Sequence, residues 1–115
     1  MRKKEITING KQYPVIFTLA TLSNFEEITG KAFFSQNLDT VKNRIAIICA
    51  AAIAADENTA LTVEELRGKD SWEDYVQILN AYQVVMKLAE TFFKKPEVEK
   101  EEENPAEEGD EKPKN

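Results

Sequence analysis

Hydrophobic and polar residues alternate along "ITINGKQYPVIFT", residues 6 to 18, and switch to three- and four-residue spacing over most of the remaining chain. Strict alternation predicts strands, and Asn9-Gly10 supplies the two positive-φ positions of a two-residue hairpin turn. That turn pairs Ile8 with Lys11, Ile6 with Tyr13 and Lys4 with Val15. Ile6, Ile8, Tyr13, Val15 and then Phe17 share one face. Thr7, Gln12 and the pair Glu5–Pro14 fall on the other. Ile16 interrupts this polar face and is expected against a neighbouring element. Pro14 has no N–H, which leaves strand two an open edge. A two-stranded hairpin is marginal alone in water, so its apolar face must pack on helices or on another subunit.

Helical spacing begins at Thr18, an N-cap for "LATLSNFEEIT", with Gly30 as the stop. Leu19, Leu22, Phe25 and Ile28 form its expected apolar stripe. A longer helix is predicted from about Leu38 to Ala55, with Ile45, Ile48, Cys49, Ala52 and Ile53 on one broad face. Alanines fill much of the rest, which marks this helix as the centre of the core. Thr62 and Glu65 have capping-box spacing and open a short helix ending at Gly68. Ser71 and Asp74 offer a similar cap for a last helix from Trp72 to Lys94. There Trp72, Tyr75, Leu79, Tyr82, Met86, Ala89 and Phe93 recur at helical steps, and Val76, Ile78, Val85, Leu88 and Phe92 widen the stripe. A helix of about 23 residues is roughly 35 Å long, more than a body this small covers, so part of the stripe is expected to meet a partner. The reading is a mainly α protein: an N-terminal hairpin packed on a small helical bundle, residues 1–96, followed by a disordered acidic tail, residues 97–115.

Charge sharpens that division. The 115-residue chain has a formal charge of −6. Residues 97–115 carry nine acidic residues against three lysines, whereas residues 1–96 balance twelve against twelve. Without a basic excess the body lacks the usual electrostatic drive toward nucleic acid. The tail has one large aliphatic residue, Val98, and no aromatic, too little apolar surface to offset ordering entropy. It reads as a solubilising appendage or as a shield that competes for basic partners. "MRKKEITING" has no apolar h-region, and the apolar run at 45–55 is well short of the roughly 20 residues a membrane span needs. A soluble, cytoplasmic protein is expected.

Residue chemistry points away from catalysis. The chain has no histidine and one cysteine, Cys49, which leaves no disulfide, no zinc set and no activated thiol. Its glycines occur singly, so no Gly-rich loop cradles phosphate. Adjacent acidic pairs such as Glu26-Glu27 and Glu73-Asp74 diverge on a helix and read as solvated surface. No enzyme activity, cofactor or metal is expected. The aromatic residues carry more information. Tyr13, Phe17, Phe33, Phe34, Trp72, Tyr75, Leu79, Tyr82, Met86 and Phe93 are candidates for a partner-binding or self-association surface, against the plainer reading that they fill the core.

Residues 6–31 carry a resemblance. A hairpin with a Gly-Lys-x-Tyr turn (Gly10, Lys11 and Tyr13), then a helix ending Phe25-Glu26-Glu27-x-Thr29-Gly30, resembles the tail assembly chaperones of long-tailed bacteriophages and prophages. The resemblance implies a protein of the bacterial cytoplasm that binds the long, helix-rich tape measure protein. It would keep that partner soluble while tail tube protein polymerises around it, and then be absent from the finished particle. It also implies a second, longer product made by ribosomal frameshifting; tail tube protein is a further candidate partner, and the final helix and the hairpin face are the candidate surfaces for a partner or for self-association. Two other readings stand beside it: a small structural or adaptor protein of a phage particle, and an acidic regulator that mimics nucleic acid through its tail.

Overall fold

The computed structural model describes residues 2–94; the tail at 97–115, and with it the expected disorder, lies outside the described residues. Strands β1 (Lys3–Ile8) and β2 (Lys11–Ile16) form the antiparallel hairpin. Its register is the one that turn and parity dictate, with Ile8 opposite Lys11, Ile6 opposite Tyr13 and Lys4 opposite Val15. Asn9 and Gly10 sit at φ 53° and 79°, the left-handed pair that this turn requires. Ile6, Ile8, Tyr13, Val15 and Phe17 are all buried, and so is Ile16 on the other face.

Helix α1 (Leu19–Thr29) starts at a corner held by two threonines. The Thr18 hydroxyl accepts from the Ala20 N–H at 3.1 Å, and the Thr18 N–H donates to Thr21 Oγ1 at 3.0 Å. Thr21 Oγ1 in turn donates to the Ile16 carbonyl at 2.9 Å. This fully buried hydroxyl therefore satisfies one backbone group on each side of the corner. Gly30, at φ 72°, ends the helix. Leu19 does not join the buried stripe and is 72 % exposed. Each three-residue step falls about 60° short of a full turn, so three such steps set Leu19 on the side opposite Ile28. Thr21 takes the inward place instead.

A one-turn 3-10 helix (Phe33–Ser35) leads to α2 (Val41–Ala55). That helix starts at Val41 rather than at Leu38. Side chains supply the reason: Asn37 Oδ1 accepts from the Asp39 N–H at 2.8 Å, and Thr40 Oγ1 caps the Asn43 N–H at 3.2 Å. Every residue from Ile45 to Ala52 is buried, so α2 is covered all round. It packs on β2, α1, α3 (Val63–Arg67) and α4 (Trp72–Phe93). Ile53, at its far end, is only half-buried. Thr62 caps α3 through the Glu65 N–H at 3.1 Å, and Ser71 caps α4 through the Asp74 N–H at 3.0 Å.

The long helix α4 is rotated from the expected stripe. Its buried residues are Ile78, Ala81, Val85, Leu88 and Ala89, and Phe92 packs against them. All but Ala89 lie one position before Leu79, Tyr82, Met86, Ala89 and Phe93, a turn of about 100° around the axis. The inward direction is set by two neighbours, β1 and α2, which α4 bridges. Leu79, Tyr82 and Met86 consequently ride half-buried along one flank.

Candidate functional site

Six phenylalanines from four parts of the chain meet where α4 ends. Phe17 continues the inner face of the hairpin, Phe25 lies on α1, Phe33 and Phe34 form the 3-10 turn, and Phe92 and Phe93 close α4. The Glu26 carboxylate accepts from the Phe33 N–H at 2.9 Å and so pins that turn to α1. Phe33 is the hub. Its ring centroid lies 5.3 Å from Phe25, 5.0 Å from Phe34, 6.5 Å from Phe17 and 6.4 Å from Phe93. Phe17 also meets Phe92 at 5.4 Å and Phe93 at 5.7 Å. Most of these pairs are edge-on or tilted, the arrangement that ring quadrupoles favour.

The cluster is open on one side. Phe34 is 77 % exposed and Phe93 46 % exposed, yet their rings lie 6.0 Å apart. Each belongs to a doublet, Phe33-Phe34 or Phe92-Phe93. Neighbouring side chains diverge by about 100° on an α-helix and about 120° on a 3-10 turn, so one ring of each doublet packs inward and the other faces water. The result is an aromatic platform: exposed rings whose undersides rest on buried ones.

The remaining candidates lie elsewhere. Tyr13 is buried in the hairpin core, and Phe17 and Phe33 form the floor of the platform rather than its surface. At the opposite end of α4, Trp72 is exposed against Tyr75 at 5.4 Å. Arg44, which the sequence pattern does not single out, organises this end. Its Nη1 donates to Tyr75 Oη at 2.9 Å, and its guanidinium lies 5.2 Å from the Tyr82 ring centre. Its Nη2 is 3.8 Å from the exposed Asp39 carboxylate, the one ion pair among the described residues. Burial pushes the Tyr82 phenol up from its ordinary value, and the Asp39 carboxylate adds to the rise while Arg44 opposes it. Leu79 and Met86 connect the two ends only as a half-buried flank, so the ten candidates do not form one continuous surface.

Other features offer little chemistry. A groove of about 480 Å³ between α2, α3 and α4 is lined by Lys42, Ile45, Leu66, Arg67, Lys69 and Tyr75. Cys49 is buried, and its thiol is pushed up to about 12, by desolvation first and then by Glu64 and Glu65. It therefore stays a protonated, unreactive thiol at neutral pH. Among the described residues, no group of three or more His, Cys, Asp and Glu is placed to hold a metal ion, and no helix is long and apolar enough to cross a membrane. No protein-family model, curated protein or solved structure matches this chain.

Proposed function

We propose that this chain is a binding protein rather than an enzyme, and that it acts in phage tail assembly as a chaperone for the tape measure protein. Phe34 and Phe93 are the contact residues. The observation that carries this reading is the open aromatic platform, two exposed rings seated on four that pack beneath them. Exposed, pre-ordered aromatic side chains give a large contact area at small entropic cost, and they suit the apolar stripe of an amphipathic helix. The resemblance over residues 6–31 supplies the class of partner: a long, helix-rich protein that needs cover until tail tube subunits enclose it.

Co-expression with the tape measure protein from the same phage tests the proposal. The wild-type chain keeps that partner soluble and co-purifies with it. Phe34→Asp and Phe93→Asp each weaken the complex by about 2 kcal/mol, roughly thirty-fold, the effect of removing an interface anchor. Undiminished binding by both variants would overturn the placement of the site. Failure of the wild-type chain to bind or solubilise the partner would overturn the chaperone reading itself.

A further inference from the structure

A two-stranded sheet has two outer edges, and here they are not alike. The two-residue turn at Asn9-Gly10 makes Ile8 and Lys11 a pair that exchanges both main-chain hydrogen bonds. The alternation of an antiparallel ladder gives Ile6–Tyr13 and Lys4–Val15 the same role. The pairs between them, Thr7–Gln12, Glu5–Pro14 and Lys3–Ile16, turn their main-chain groups away from the hairpin. On β2 that outward row is broken. Pro14 has no N–H to offer, and the Ile16 carbonyl already accepts from Thr21 Oγ1 at 2.9 Å. On β1 the row is complete. Lys3, Glu5 and Thr7 are exposed, and their outward N–H and C=O groups have no hydrogen-bond partner among the described residues.

The tertiary structure sets a groove along this open edge. At the hairpin tip, the Asn9 N–H donates to Gln77 Oε1 at 2.7 Å. At the other end, Arg2, at the basic start of β1, shares a cleft with Leu88, Thr91 and Phe92 near the end of α4. Strand and helix therefore run antiparallel, side by side. Between them lies a groove of about 450 Å³, walled by Glu5, Ile6 and Thr7 from the strand and by Gln77, Ala81 and Val84 from the helix. A strand added here, ~4.8 Å from β1, would meet the outward main-chain groups. Its side chain opposite Ile6 would face Ala81 and Val84, and those opposite Lys3 and Glu5 would face water.

Charge and space select the occupant. Opposite charges directly across a sheet stabilise it and like charges destabilise it. A second copy paired through β1 about a two-fold axis at Lys4 or Glu5 sets like charges face to face. In every such register it also brings its own α4 within about one strand spacing of the first, ~4.8 Å, where packed helices need ~8–10 Å. A segment without a helix beneath it meets neither obstacle.

We propose that the open edge of β1 takes a third, antiparallel strand from another protein. That segment carries an apolar residue opposite Ile6, a base opposite Glu5 and acids opposite Lys3 and Lys4. Charged residues on an edge strand discourage indiscriminate pairing, and here they admit a segment whose charges match. The proposal rests on the hairpin and α4, and stands apart from the tape measure reading of the aromatic platform.

A blocked hexapeptide, Val-Thr-Val-Lys-Glu-Glu, tests it. In antiparallel pairing its residues meet Ile8, Thr7, Ile6, Glu5, Lys4 and Lys3 in turn. Titrated to millimolar concentration into the full-length 15N-labelled chain, it is expected to shift the amides of Lys3, Glu5 and Thr7 and to leave those of Gln12 and Ile16 in place. The charge-reversed peptide Val-Thr-Val-Glu-Lys-Lys binds about ten-fold more weakly or less. Glu5→Pro removes the central outward N–H without costing the β1–β2 ladder a bond, as Pro14 does on β2, and abolishes the shifts. Glu5→Lys, an exposed exchange that spares the fold, weakens binding about three-fold, and Val-Thr-Val-Glu-Glu-Glu restores it. No shifts, shifts centred on Gln12 and Ile16, or equal binding of the charge-reversed peptide overturns the proposal. So does movement of the Lys3, Glu5 and Thr7 amides with protein concentration alone, because a second copy would then hold the edge.

Discussion

The two ends of α4 use the same residue types to opposite effect. Toward its start, Tyr75 and Tyr82 flank Arg44, which hydrogen-bonds one phenol and faces the ring of the other, and Trp72 packs on Tyr75. At its finish, Phe92 and Phe93 join four other phenylalanines, ring against ring. The first end is a polar fastening between α2 and α4. The second is apolar packing that continues to the surface and stops there, with two rings uncovered. Aromatic residues at helical spacing thus do not define one surface; what they pack against decides whether they lock the fold or stay open to a partner.

Removing the hub of the phenylalanine end is the strongest way to break this contrast. Phe33→Ala is expected to cost about 3–5 kcal/mol, because four rings lose their common neighbour. The shift in a urea unfolding midpoint measures it, and a cost no greater than that of a surface substitution would show the cluster to be loosely packed. At the other end, Arg44→Met keeps the apolar stem and deletes the guanidinium. The loss of the Tyr75 bond and the Tyr82 contact is partly offset by relief of the buried, unpartnered Arg44 Nε. A net cost of about 1 kcal/mol is expected in the same assay.

The exposed rings give a smaller effect on stability and a sharper one on function. Phe34→Asp and Trp72→Ser both alter exposed side chains and should change stability by only about 0.5 kcal/mol. They separate in partner capture, where Phe34→Asp is defective and Trp72→Ser is not. Equal loss by both would mean that the two ends form one binding surface after all. The least effect is a pH dependence. The Tyr82 phenol is raised in the folded state, so its contribution is fully present below the ordinary tyrosine value near ~10 and is lost as pH rises through the folded value. Cys49, raised to about 12, acts in the same direction from about 9 upward. In a Cys49→Ala background, Tyr82→Phe should therefore flatten the remaining alkaline decline in stability, whereas Phe93→Leu should leave its slope unchanged.

Much of the fold was legible because it depends on neighbours in sequence. Asn9-Gly10 and strict alternation set the hairpin register, and Thr18, Thr62 and Ser71 placed three helix starts through their own hydroxyls. The eight buried residues from Ile45 to Ala52 announced a central helix by having no polar side. Spacing alone misled where it was asked for a direction. Leu19 satisfied an i, i+3 series that winds around the helix within nine residues. The α4 stripe was displaced by one residue, because its apolar positions cover more than one face and periodicity cannot choose among them.

The candidate site was legible only in part for the same reason. The doublets Phe33-Phe34 and Phe92-Phe93 marked the aromatic content of the platform, but their meeting joins residues some sixty positions apart in sequence. Arg44 carried no signal, since an arginine on a buried helix looks like any surface charge until two tyrosines are packed against it.

By itself, the sequence determined the hairpin and its register, the helix caps, the identity of the core helix and the separation of charge between body and tail. These are set by dihedral preference, local hydrogen bonds and composition, all of which act over a few residues. Tertiary structure alone decided which way α4 faces, which phenylalanines are covered, and that the basic start of β1 lies beside the end of α4. Those outcomes arise because one helix has to satisfy two neighbours, the hairpin and α2, at the same time.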